Sequence, residues 1–116
     1  MPDITNTAIK GFHAHVYYDA STKQNAQSLR EQLEKNFVDI ELGRWHDRPI
    51  GPHPRWSYQV AFSKELFGEI IPWLMLHQNG LVILVHPLTG NDLADHQDYA
   101  MWLGEKVPLN FDVLRK

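Results

Sequence analysis

The order in which strand-like and helix-like hydrophobic patterns follow one another constrains this chain more than any single motif. Residues 9–18, IKGFHAHVYY, alternate Phe12, Ala14 and Val16 with His13, His15 and Tyr17, the two-residue period of a strand with unlike faces. Ser21 and Gln24 have capping-box spacing at the start of a helix over 22–36, where Ala26, Leu29 and Leu33 form one apolar stripe and Phe37 lies just beyond. VDIELGRWH at 38–46 reads as a second strand with Val38, Ile40 and Leu42 inward, and Gly43 is placed for a bulge. The stretch DRPIGPHPR at 47–55 holds three of the seven prolines, so it is a stiff, shaped loop and neither a central strand nor a helix interior.

WSYQVAF at 56–62 gives a third strand. Ser63 starts a helix through about 63–78, with Phe67, Ile70, Ile71 and Leu74 on its packed side. Pro72 removes one internal hydrogen bond, so a kink or a late start near Gly68 is expected. Asn79-Gly80 turns the chain into LVILVHP at 81–87, a fourth strand stopped by Pro87. Beyond it, Asn91 or Asp92 can cap a helix through about 93–102, and LNFDVLRK is free to lie along a sheet edge or reach a partner.

The simplest compact solution is an α+β ferredoxin-like sandwich: a four-stranded antiparallel sheet in spatial order fourth, first, third, second, two helices on one face, and a C-terminal extension. A chain of 116 residues has material for one core, and a single domain over 1–116 is expected. The other sheet face is then left for a ligand, the tail or a second copy, and a homodimer is the expected assembly. The longest apolar run, LVILV, is far short of the roughly 20 residues of a membrane helix. The N-terminal residues lack the pattern of an export signal. A soluble cytoplasmic protein with no membrane partner is therefore expected.

Seven histidines stand against eleven Lys and Arg, with no cysteine and a formal charge of -3. That balance gives no general attraction to nucleic acid. It also excludes thiolate metal sites and cysteine nucleophiles, leaving histidine and oxygen as metal donors. If Phe12, Ala14 and Val16 face the helices, His13, His15 and Tyr17 share the open face. The fourth strand runs antiparallel beside the first, so His86 comes close to His13 and His15, provided that it points the same way; LVILV does not fix its parity. Three such imidazoles suit a divalent metal with open positions, and a satisfied sheet or interface cluster is the alternative. His53, between two prolines, is either a solvated turn residue or, near that face, a fourth ligand or an acid–base group. His46 and His77 read as surface residues or as supports behind the site, and His96, near Asp95 and Asp98, as a solvated helix position, with orientation of another imidazole as the alternative.

Arg44, Arg48 and Arg55 lie in or beside the stiff loop with Trp45 and Trp56. An arginine on a carboxylate and an indole on a ring would suit a small aromatic acid. Alternatively, the tryptophans pack the sheet edge and the arginines face water.

GFHAHVYYD at 11–19, GPHPRWSYQVAF at 51–62 and GLVILVHPLTGNDLADHQDYAMWLG at 80–104 together resemble the DOPA 4,5-dioxygenase family, in its order. The resemblance implies a non-haem Fe(II) enzyme that takes a catechol, such as DOPA or a related aromatic acid, and O2, and opens the ring beside its hydroxyls. Zinc or nickel would be a crystallographic substitute. The family's histidine motifs fall on His13 and His15, His53 and His86. The expected assignment is His13, His15 and His86 as ligands and His53 as the catalytic residue, with Arg48, Arg55, Trp56 and Tyr17 against the substrate. Non-haem iron often takes a carboxylate as well, for which Asp19 and Asp95 are the available residues. A non-enzymatic metal or small-aromatic-ligand binding module, or a structural homodimer, are the other classes compatible with the sequence.

Overall fold

The structure, a computed structural model, describes residues 4–115. Its central strand is β1 (Phe12–Tyr18), paired antiparallel on one side with β3 (Trp56–Phe62) and on the other with β4 (Val82–Pro87). A short β2 (Glu41–Leu42) lies outside β3. The first four strands thus have the expected ferredoxin-like order. A fifth strand, β5 (Met101–Leu103), extends the sheet beyond β4, giving β2-β3-β1-β4-β5.

Alternation dictates the layers. Ala14, Val16 and Tyr18 of β1, Tyr58, Val60 and Phe62 of β3, and Ile83 and Val85 of β4 form one buried cluster with two helices. From α1 (Lys23–Asn36) come Ala26, Leu29 and Leu33; from α2 (Phe67–Leu76) come Ile70, Ile71 and Leu74. A 3-10 turn at Lys64–Leu66 precedes α2, and Phe67 opens it just before Gly68; Pro72 still falls inside the helix, where it removes one internal hydrogen bond. Burying a Leu or Ile side chain stabilises by about 1.5–3 kcal/mol, so the five Leu and Ile positions among these are a main source of cohesion.

Several boundaries differ from expectation. The N-terminus of α1 carries no Ser21–Gln24 box; Thr22 is its N-cap, and the Asp19 carboxylate accepts from the backbone and hydroxyls of Ser21 and Thr22 instead. β2 is much shorter than 38–46, and Val38 is 88% exposed rather than inward. The bulge at Gly43 is present: Leu42 pairs with Val60 but His46 with Ser57, so four steps along one strand meet three along the other. The tail helix is only α3 (Asp92–His96), capped by the Asn91 side chain on the Ala94 amide, and 101–103 pair with β4 instead of continuing it.

The second sheet face is partly covered by the chain itself. Val107 and Leu109 pack on Tyr17 and Leu84 in a smaller buried cluster, and the Asn110 amide donates to the Pro52 carbonyl at 2.9 Å. This cover explains why 81–85 are apolar throughout: Leu84 on one face and Ile83 on the other are both fully buried. Among the described residues, no helix is long and apolar enough to cross a membrane.

Candidate active site

The part of that face left clear by the tail is occupied by histidines. The β1–β4 register sets His13 directly opposite His86, which resolves the parity of His86 onto the face of His13 and His15. His15 and His86 are 5% and 2% exposed, and their Nε2 atoms lie 3.0 Å apart. One donor nitrogen from each of His13, His15 and His86 can lie within 4.8 Å of the other two.

The loop over 47–55 delivers a fourth imidazole. Ile50 and His53 exchange backbone hydrogen bonds across Gly51, at φ +55°, and Pro52. Only a residue without a Cβ enters this left-handed region freely, so the glycine makes the turn that carries His53 inward. His53 is 7% exposed, and its Nδ1 is 2.6 Å from the Tyr17 hydroxyl. Its ring centroid lies 4.2 Å from that of His15.

The fifth imidazole is His96, half-buried against the cluster where its helix position suggests solvent. Its ring lies 4.0 Å from His86, and with His15 and His53 it forms a second group within 4.8 Å. The buried Asp95 accepts from the Thr89 amide and hydroxyl, which ties α3 to the end of β4 and brings the next residue over the cluster. Asp95 is therefore committed to holding the backbone. Asp19 is committed to the start of α1. Neither supplies a carboxylate to these imidazoles.

The electrostatics favour neutral rings. Desolvation, reinforced by neighbouring imidazoles, lowers His15 well below its ordinary value and His53 to about 4. Burial also takes His86 to about 4 and lowers His13. At neutral pH these side chains offer nitrogen lone pairs, as metal ligands must. The His86 Nδ1–H donates to the Pro87 carbonyl at 2.9 Å, leaving Nε2 bare in the neutral ring, and the His96 Nδ1–H donates to the Asp92 carbonyl at 2.7 Å. A neutral imidazole set, buried at His15 and His86 and half-buried at His13, with no thiolate, fits a divalent transition metal with open coordination positions.

The expected substrate residues separate. Arg55 is exposed and paired with Glu105 at 3.0 Å, and its positive charge reaches Tyr17. Arg48 is exposed in the loop. Trp56 packs against the helix-side core, with its ring 6.0 Å from Tyr18, so it faces away from the histidines. Its alternation with Tyr58, Val60 and Phe62 already carried that information. Trp102 does reach the histidine face, opposite Leu84, with its ring 6.0 Å from Tyr17. Tyr17 is 2% exposed and spends its hydroxyl on His53.

Residues 12–113 match the model of the Dopa 4,5-dioxygenase family. The chain belongs to that family. A DOPA 4,5-dioxygenase of Amanita muscaria is 35% identical over 118 residues, covering 95% of this chain and 52% of the fungal protein. An uncharacterized 21.2 kDa protein of Botryotinia fuckeliana is 32% identical over 123 residues, covering 96% of this chain and 67% of that one. The chain thus spans about half of the Amanita enzyme and two thirds of the Botryotinia protein. The crystal structure of a candidate dioxygenase from Nostoc punctiforme is 49% identical, with a TM-score of 0.94 and coverage of 97% of this chain and 96% of that one. The family model, the Amanita enzyme and the Nostoc structure together support a dioxygenase function, and the histidine face is the candidate metal centre.

Proposed function

We propose that this protein is an extradiol ring-cleaving dioxygenase that uses non-haem Fe(II) on a catechol carrying an acidic side chain, such as DOPA. The observation that carries the reading is the convergence of His13, His15 and His86 from two adjacent strands, with their pKa values lowered by burial, on one face. These three would hold the ion. Ferrous iron, when bound, supplies open positions for the catechol oxygens and for dioxygen, whose direct reaction is otherwise spin-forbidden. The three imidazoles orient that ion and keep their nitrogens unprotonated. His53 projects over His15 and acts on the catechol and reacting oxygens through its ring N–H. The tail residues Val107 and Leu109 exclude water from the Tyr17 side of the face. Arg55, freed from Glu105, meets the substrate carboxylate. In the net reaction the carbon–carbon bond beside the hydroxyl pair breaks, and both atoms of one dioxygen enter a muconic-semialdehyde-type product.

The test is anaerobic reconstitution with Fe(II), followed by oxygen uptake with DOPA, caffeate, protocatechuate and catechol. Uptake that needs iron and catechol together is expected, with Arg55→Ala raising KM about 10-fold for the carboxylated substrates and little for catechol. Metal and catechol binding without oxygen consumption would leave a binding module instead.

A further inference from the structure

His53 and His96 stand over the same imidazoles, yet their Nδ1 atoms meet opposite partners. For His96 the partner is a backbone carbonyl, which can only accept, so Nδ1 carries a proton. For His53 the partner is the Tyr17 hydroxyl at 2.6 Å, which has a proton of its own to place. Tyr17 is 2% exposed, and among the described residues its hydroxyl makes no other hydrogen bond. If His53 donated from Nδ1, the phenolic proton would be buried with no acceptor, at a cost of about 1–3 kcal/mol. The hydroxyl therefore donates, Nδ1 accepts, and the neutral ring keeps its proton on Nε2.

We propose that Tyr17 is a positioning residue that holds His53 in its Nε2–H form, so that His53 presents a hydrogen-bond donor to the bound catechol or oxygen and is not a metal ligand. The assignment rests on the dioxygenase reading only for what His53 donates to; the tautomer itself does not depend on it. It also separates the two histidine groups. His13, His15 and His86 can all turn lone pairs to one ion, whereas His15, His53 and His96 cannot while His53 carries its proton inward. Tyr17 thereby decides which of the two groups takes the metal.

Nitrogen-resolved NMR of histidine-labelled, Zn(II)-loaded protein at neutral pH reads this directly. His53 is expected with a protonated Nε2 and an unprotonated Nδ1. Tyr17→Phe keeps the ring packing on Leu84, Val107 and Leu109. It should move His53 toward the Nδ1–H form and lower turnover about 10-fold with Zn(II) affinity little changed, the scale of a lost outer partner. Tyr17→Trp, too large for the site, serves as the control for mere disruption. A wild-type His53 protonated on Nδ1, or a tautomer indifferent to Tyr17→Phe in folded protein, overturns the proposal. A correct tautomer in a protein that consumes no oxygen with any catechol leaves it standing and removes the dioxygenase reading alone.

Discussion

His15→Ala is expected to abolish metal binding, lowering Zn(II) or Co(II) affinity by more than about 100-fold, because losing even an outer partner of a ligand costs 10–100-fold. His15 is the one imidazole common to both histidine groups, so its removal leaves neither complete. It also occupies the centre of the central strand, between Gln59 and Leu84. His96→Ala, which leaves the His13, His15 and His86 group intact, should retain most of the affinity. Competition against a chromophoric chelator measures both, with circular dichroism to establish that each variant is folded. Wild-type affinity in a folded His15→Ala protein would mean that the metal lies elsewhere. The expected stability change is of similar size in free energy: the His86 Nε2 loses its partner at 3.0 Å, a loss of about 1–3 kcal/mol.

The second large effect is acid sensitivity of the metal-free protein. His53 and His86 titrate near 4 when folded, against 6.5 for a free histidine, and His15 and His13 are lowered too. Between those values the unfolded chain binds protons that the folded chain refuses, so stability falls as pH falls. The contribution is complete above about 6.5, is lost progressively toward about 4, and changes little below that. Each of the two groups at about 4 accounts for roughly 3 kcal/mol over that window, with coupling between them making the sum smaller. Asp19 and Asp47 are lowered from 3.8 by their hydrogen-bond donors, so their loss comes at lower pH and does not mask the histidine transition. Urea unfolding with a chelator present should therefore weaken from pH 7 to pH 4.5, and Zn(II) should shift the loss to lower pH by holding the imidazoles unprotonated. A flat profile over that range would contradict the burial of neutral histidines.

The parts of this site that were legible in the sequence are those governed by strict alternation. His13, His15 and Tyr17 were assignable to one face because Phe12, Ala14 and Val16 mark the other. The same rule applied to 56–62 places Trp56 with Tyr58, Val60 and Phe62, toward the helices and away from the site. His86 was not assignable, since β4 is covered on both faces and its residues carry no polar-apolar contrast. His96 was hidden by a different cause. The helix ends at His96, where the Gln97 and Tyr99 amides close on the Leu93 and Ala94 carbonyls, and no proline or glycine marks that stop. The next segment pairs with β4 through three residues, too few to show a period. The signal that did exist was chemical: a histidine beside an aspartate that a nearby threonine could anchor.

The most direct test of the account is to run the Fe(II)-loaded protein on DOPA under isotopically heavy dioxygen, trapping the aldehyde as it forms and weighing the product. Cleavage of the ring on the His13, His15 and His86 face predicts both heavy atoms in one ring-opened product, with none formed by His15→Ala. A product carrying one heavy atom or none, or the same labelled product from folded His15→Ala protein, would contradict it.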